Sequence, residues 1–541
     1  MEYFDLKIRT TYKDLKKIQF ICFLTVVSRS LLNLYLIYQI QIIIDALVNQ
    51  DKDKLFGNLK LVLFSLTIYI AVTFLSQYFL RLLFQMENFS LIKFLYTSIL
   101  HKEKIYFNSV KNGDISSRIM NDSSKISEWN GQGIILFLVQ LSTFICTFIM
   151  MIHYSLSIAL VILFLSLFCF YIVNKMGKKM TQYSVEDQEL TGQLNQDILE
   201  SLQGINDIKQ LKKEDFFSNK ISKRIDNEKI PVNKKISFYF AMYVGTSIII
   251  AFILPIIAVI MASLYVANGT MTVGSIMAVY SLTGQLDTPI RVISDSINKR
   301  KTAIKMQNRV KEFYDYQEQN IYSTTAPDDF KQLNFSSDYF SFINDQPILK
   351  NINFIIKKGE SILVKGKSGV GKSTLANLLM TDVYEKRFSG QIEWNNSSIF
   401  SFNKQDYYSK ILKSQQDAFI FQGTIRENIL LDDNFTDNEL KEIIKVCQLD
   451  DLIEDKGEDF ILSENGNNIS GGQKQRIELA RILIRKPQFI ILDEPTSALN
   501  RELAQKFIYH LNIYLQKYQM TSLIISHGND FDEYISQKIL L

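Results

Sequence analysis

The sequence predicts a multidomain membrane protein of two unlike parts in series: a six-helix, all-α transmembrane domain over residues 1–313 and an α/β domain over residues 331–541, joined by a linker at 314–330. Three observations predict it. Apolar stretches of bilayer-spanning length recur through the first part of the chain. A G-x-x-x-x-G-K-S pattern at residues 366–373 follows an apolar strand-like run and precedes a helix-like one. The composition, 47% hydrophobic with 38 Phe and a mean hydropathy of +0.03, averages two dissimilar halves.

A helix needs about 20 apolar residues to cross a bilayer. Six stretches qualify: Ile18–Val48, Leu59–Leu83, Gly133–Ile152, Leu156–Val173, Phe238–Ala267 and Val273–Ser296. Only His153-Tyr-Ser155 separates the third from the fourth, so a long kinked hairpin is expected there. Lys7, Arg9, Lys13, Lys16 and Lys17 crowd the N-terminal tail, and residues 174–237 are dense with Lys, whereas the turns at 153–155 and 268–272 carry neither Lys nor Arg. Residues 49–58, with two Lys and two Asp, are a weak exception. Positive charge marks the cytoplasmic side, which places both termini in the cytoplasm. The net charge of +4 is then mostly an orientation signal, and the absence of a basic stripe interleaved with aromatics argues against nucleic-acid binding.

The first apolar run is too long for a signal peptide, and no small-residue cleavage site follows it. Linker residues 314–330 are polar and aperiodic, with Pro327-Asp-Asp. Cys22, Cys146, Cys169 and Cys447 show neither metal-site nor disulfide spacing. Polar side chains within the spans are the only clues to a cargo: Arg29, Asn33, Gln39 and Gln41 on the first, Gln140 on the third, Gln285, Asp287 and Arg291 on the sixth. An ionisable group in a bilayer faces a partner or a wet cavity, and Arg29 with Asp287 is expected to form a structural pair, with a place along the substrate path as the alternative.

In the second part, Gly366, Lys367, Ser368, Gly369, Val370, Gly371, Lys372, Ser373 and Thr374 read as a phosphate loop opening a helix. Glycines let the backbone N–H groups curl around phosphates, and the helix N-terminus adds partial positive charge. Lys372 suits the β/γ-phosphates and Ser373 a bound Mg²⁺. Such a loop alone would fit a kinase, a GTPase or a motor. Ile469-Ser-Gly-Gly-Gln473, then Lys474-Gln-Arg476, then Phe489-Ile-Ile-Leu-Asp-Glu-Pro495 narrow the choice. Together these motifs, in order across residues 335–541, resemble the nucleotide-binding domain of ABC ATPases, a P-loop fold of the RecA-like kind.

The resemblance implies roles residue by residue. Asp493 matches the Mg²⁺-binding carboxylate and Glu494 the general base. Gln416, in Ser414-Gln-Gln-Asp417, matches the loop glutamine that senses Mg²⁺, and His527 the switch histidine. Ser470, Gly471, Gly472 and Gln473 match the signature that closes in trans over ATP bound by another subunit. Two departures stand out. The adenine-stacking aromatic maps to Phe342, which keeps the π-face of the usual Tyr without its hydroxyl. Asn500 stands where an Asp is usual, which predicts altered communication between the two sites. The segment Ser463-Glu-Asn-Gly466 resembles an exporter cross-linking loop through Glu464.

The long excursions at roughly 84–132 and 174–237 resemble those of ABC exporters, each ending in a short coupling helix. Gly113-Asp-Ile-Ser-Ser-Arg118 with Asn121-Asp122 matches the first such segment, and Glu200-Ser-Leu-Gln-Gly204-Ile-Asn-Asp-Ile-Lys209 the second. What the resemblance implies is an ATP-hydrolysing, Mg²⁺-dependent half-transporter of a bacterial plasma membrane, working as a homodimer in the lipid bilayer with a heterodimer as the alternative. Its exported substrate is expected to be a peptide or bacteriocin-like cargo. Lipid or drug export, and an ATPase-active sensor that moves nothing, are the alternatives.

Overall fold

The computed structural model describes residues 15–102, 106–107, 110, 112–315, 325–341, 348–367, 369–381 and 388–541. The chain divides into two units, Met1–Tyr316 and Gln317–Leu541.

Helices in the first unit outrun the bilayer. Leu15–Val48 has 34 residues, Lys52–Leu100 has 49 and Leu156–Gln203 has 48, while Gly113–Tyr154 and Glu214–Ala267 extend over 42 and 54. At about 1.5 Å per residue the longest reach roughly 70–80 Å, more than twice the hydrocarbon core. These five are the helices long and apolar enough to cross a membrane among the described residues.

The sixth expected span, Val273–Ser296, is not continuous. Val273–Gly284 ends at Gln285-Leu286, and Asp287–Asp315 begins a new helix. Pro289 lies in the first turn of that helix, where a missing N–H leaves no bond unmade. The expected kink between the third and fourth spans is a full reversal at one residue, Ser155, whose backbone is extended (φ −163°, ψ 124°). Wider π-turns interrupt the third stretch at Glu128–Gly133 and the fifth at Ile249–Ile253. The latter directly precedes Pro255, and loosening the turn accommodates the bond that proline cannot make.

Several polar residues in the spans find partners. Tyr154 hydroxyl donates to Gln41 Oε1. Asp45, near the end of the first helix, accepts from Thr272 Oγ1 at 2.9 Å and from the Gly274 N–H at 2.8 Å. Gly274 allows that approach, since a Cβ there would stand 2.5 Å from Gln41 O. The expected Arg29–Asp287 pair is not formed. Asp287 lies 3.8 Å from Arg291, which the four-residue helical spacing sets on the same face. Arg29 makes no hydrogen bond or ion pair among the described residues.

Beyond their apolar windows the helices are joined by charge. Asp197 pairs with Lys220 at 3.3 Å and with Arg224, and Asp187 with Lys229 at 3.0 Å, lacing the fourth helix to the fifth. The segment around Gly113 is held likewise. Arg118 reaches Asp114 at 2.7 Å and Glu312 at 2.6 Å, and Arg309 reaches Asp114 and Asp122, both at 3.2 Å.

The second unit is built on a parallel sheet ordered Gln537–Leu540, Ser361–Lys365, Thr521–Ile525, Phe489–Asp493, Ile411–Lys413. Its central strands are buried along their length, apart from the half-buried Lys365 at the end of Ser361–Lys365, as parallel strands covered on both faces are. Side chains alternate between two apolar clusters: Ile362, Val364, Phe489, Ile491, Leu523 and Ile525 enter one, Leu363, Ile490, Leu492 and Ile524 the other. An antiparallel sheet of Leu349–Lys357, Gln332–Phe340, Phe388–Trp394 and Ser397–Ser398 adds to the first cluster through Phe335, Phe354 and Trp394.

Candidate functional site

A parallel sheet presents the C-terminal ends of its strands as a binding edge, because each loop leaving that edge starts from a fixed point. Four such ends supply the motifs. Ser361–Lys365 runs into the glycine loop, Ile411–Lys413 into Ser414-Gln415-Gln416, Phe489–Asp493 into Glu494, and Thr521–Ile525 into Ser526-His527. Ile525 is in register with both Val364 and Asp493, which brings three of these ends to one level. The Glu494 N–H donates to Ile525 O at 2.9 Å, and its left-handed backbone (φ 49°) makes the sharp turn off the strand.

Gly371 opens the helix Lys372–Leu379 with a φ of 111°. A Cβ there would also stand 2.8 Å from Ile348 Cγ2, so the position needs glycine on two counts. Lys372 is 7% exposed and its three donors are all matched: Gly366 O at 2.9 Å, Lys367 O at 3.1 Å and His527 Nε2 at 3.2 Å. The same Nε2 lies 3.2 Å from Glu494 Oε1. One ring nitrogen cannot accept from the ammonium and donate to the carboxylate together, so the imidazole proton selects between them. Ser373 Oγ donates to Asp493 Oδ2 at 3.4 Å. Burial pushes the Asp493 carboxyl up, Glu494 adds to this, and Lys413, Ser373 and Lys372 oppose it.

Ser470 caps the 13-residue helix Gly471–Leu483 through a reciprocal box: its Oγ accepts the Gln473 N–H at 3.3 Å, and Gln473 Oε1 accepts the Ser470 N–H at 2.8 Å. A Cβ on Gly472 would meet Ala498 O at 2.7 Å, so this turn packs on the loop that follows Glu494. Gln475, one turn further on, clamps that loop by donating to Glu494 O at 2.8 Å and Ser497 Oγ at 3.4 Å. Gln475 lies in the Lys474-Gln-Arg476 run that follows the signature, but that pattern does not show this clamp, whose partners lie 19 and 22 residues away. Asn500 serves as a helix cap, its Oδ1 accepting the Leu503 N–H at 2.9 Å.

Direct contacts thus connect Lys372, Ser373, Asp493, Glu494 and His527. Gln416 is exposed on its loop and makes no hydrogen bond among the described residues. Nor does any hydrogen bond among the described residues join Ser470, Gly471, Gly472 or Gln473 to the loop of residues 366–374. Phe342 and Ser368 lie outside the described residues. The four cysteines are free thiols.

Comparison with known proteins gives two family matches: the ABC transporter transmembrane region over residues 19–290, and ABC transporter over residues 349–497. A putative export ATP-binding/permease protein of Rickettsia bellii is 27% identical, covering 86% of this chain and 81% of its own. A putative multidrug export ATP-binding/permease protein of Staphylococcus aureus is 28% identical, covering 84% and 79%. Among solved structures, a bacterial Atm1-family ABC exporter with ATP bound superposes with a TM-score of 0.80 over 97% of this chain and 93% of that one, at 18% identity, a likeness of fold.

Proposed function

We propose, on the premise that this chain belongs to the ABC transporter family as an export half-transporter with its membrane region fused to its ATPase domain, that two copies pair head to tail to hydrolyse ATP and move an organic cargo out of the cytoplasm. ATP-driven translocation is the activity of such a fusion. The observation that carries the catalytic reading is the contact chain Lys372–His527–Glu494, 3.2 Å at each step, beside a Ser373–Asp493 hydrogen bond.

In this reading Lys372 exchanges its two carbonyl partners for phosphate oxygens, which are stronger acceptors for an ammonium. Glu494 holds and polarises the attacking water, and His527, already against its carboxylate, steadies the γ-phosphate. Asp493, Ser373 and Gln416 are an all-oxygen donor set of the kind a hard divalent cation takes, and a buried carboxyl beside a hydroxyl fits one. Bound Mg²⁺ would supply charge neutralisation at the phosphates. Ser470, Gly471 and Gly472, which begin a helix and make no hydrogen bond to their own phosphate loop among the described residues, would complete the partner's site. Phe342 would stack on adenine.

The five long apolar helices make an integral membrane protein, and we place it in a bacterial plasma membrane with both termini in the cytoplasm. For the cargo, the name of the Staphylococcus aureus relative favours a drug-like compound. The peptide expected from the sequence is the rival. ATPase activity of the purified chain alone in lipid nanodiscs, with candidate cargoes added, tests this. Turnover stimulated by amphipathic drugs supports the reading. A well-folded sample silent under all conditions would sink the homodimer and point to a different partner chain.

A further inference from the structure

The loop between Ile411–Lys413 and Phe421 hangs from two residues of the signature helix. Ser414 itself is fixed to the neighbouring strand: its N–H donates to Ile491 O at 2.9 Å, and its Oγ accepts the Asp493 N–H at 2.9 Å. The next amide, Gln415 N–H, donates to Glu478 Oε1 at 2.7 Å. Four residues later, Phe419 O accepts from Arg481 Nη1 at 3.0 Å, and the Arg481 guanidinium also holds Asn428 O at 2.7 Å. Glu478 and Arg481 are three apart on the helix Gly471–Leu483 and so share a face.

Glu478 is an odd tenant. It is 4% exposed, and its Oε2 is buried with no hydrogen-bond partner among the described residues. Burial pushes its carboxyl up to about 7, against the pull of the Gln415 N–H and of Arg481. A buried carboxyl with one oxygen unmatched destabilises a fold, and packing alone would be better met by an apolar side chain. Its hydrogen bond among the described residues is the one that holds the Gln415 amide, adjacent to Gln416.

We propose that Glu478 is a positioning residue for hydrolysis: by accepting the Gln415 N–H it fixes the loop that presents Gln416, and it ties that loop to the helix whose N-terminus is Ser470. A shift of the signature helix would then be felt at Gln416. The Mg²⁺-linked half of this inference rests on Gln416 acting at Mg²⁺, the anchoring half on geometry alone.

The full chain in nanodiscs is tested as wild type, Glu478→Ala, Glu478→Gln and Gln416→Ala. Two readouts are taken: hydrogen–deuterium exchange of the peptide containing Gln415, and the Mg²⁺ concentration giving half-maximal ATPase. Glu478→Ala is expected to speed exchange at Gln415 about tenfold and to raise the Mg²⁺ requirement about fivefold, as for the loss of one buried hydrogen bond to a charged group. Glu478→Gln keeps an acceptor and stays within about twofold of wild type in both. Wild-type behaviour of Glu478→Ala in both readouts overturns the proposal, and so does equal damage from Ala and Gln. If Gln416→Ala leaves the Mg²⁺ requirement unmoved while Glu478→Ala still frees the Gln415 amide, the anchoring stands and the role of Gln416 at Mg²⁺ is overturned.

Discussion

The two units arrange their polar groups differently. In the ATPase unit, acidic and basic side chains are gathered at one sheet edge and left in partial competition: His527 Nε2 faces both Lys372 and Glu494, and Asp493 is buried beside Ser373. In the membrane unit, polar pairs tie one helix to another, as Asp45 does with Thr272 and Gly274, and Gln41 with Tyr154, while buried oxygens of Gln39, Thr73 and Ser294 find no hydrogen-bond partner among the described residues. Convergent ionisable groups that compete for one partner mark chemistry, whereas pairs that tie helix to helix mark architecture. The first kind can be perturbed with a large effect on rate and a small one on stability, and the second the reverse.

The strongest test of that contrast is Glu494→Gln, which keeps shape and hydrogen-bonding capacity but removes the proposed base. ATP hydrolysis should fall at least about 100-fold, with nucleotide binding and melting temperature near wild type. Turnover within tenfold of wild type would remove Glu494 from the base role. The mirror experiment is Gly274→Ala. The added Cβ would lie 2.5 Å from Gln41 O and 2.6 Å from Asp45 Oδ1, so the first and sixth spans must separate. Overpacking of this kind costs about 1–3 kcal/mol, seen as a lower melting temperature, while ATP binding is retained. An unchanged melting temperature would mean that the two spans are not held as close as the Asp45 contacts imply.

A smaller effect is expected from pH. Glu478 has its carboxyl raised from 4.5 to about 7 in the folded chain, so the folded state holds its proton more tightly than the unfolded state. Stability from this group is therefore fully present below about pH 4.5, declines through the window up to about pH 7, and is absent above it. Glu478→Gln removes that slope. The stability of mutant minus wild type should rise by on the order of 2 kcal/mol between pH 5 and pH 8, measured by denaturation at each pH. A difference independent of pH would show that Glu478 ionises normally.

Legibility follows the same division. The places of the phosphate loop, the Asp493-Glu494 pair and His527 at strand ends were legible because each motif is contiguous and follows an apolar run. Five of the six spans were readable because a bilayer demands an uninterrupted apolar length. What stayed hidden depends on contacts far apart in the chain: Gln415 with Glu478 across 63 residues, Asp45 with Gly274 across 229. The joint at Gln285-Leu286 was hidden for another reason. Hydropathy averages over a window and does not register two residues leaving the helix, although Pro289 was a local cue. The pairing of Arg29 with Asp287 failed because estimated depth fixes neither the face of a helix nor a nearer competitor.

That failure yields the smallest expected effect, and the one that bears most on cargo. If Arg29 and Asp287 were partners, Arg29→Asp combined with Asp287→Arg would restore what each single change loses. The geometry predicts otherwise, because Asp287 already has Arg291 within 3.8 Å and Arg29 has no protein partner among the described residues. The coupling energy between the two positions in a double-mutant cycle should stay below about 0.5 kcal/mol, as for independent sites. Arg29→Gln alone should leave melting nearly unchanged but alter which compounds stimulate ATPase activity, since an unpaired cation in a span is tolerated where it faces water or cargo. A clear rescue by the swap would return Arg29 to the architectural class and leave the membrane unit without a charged cargo contact on its first span.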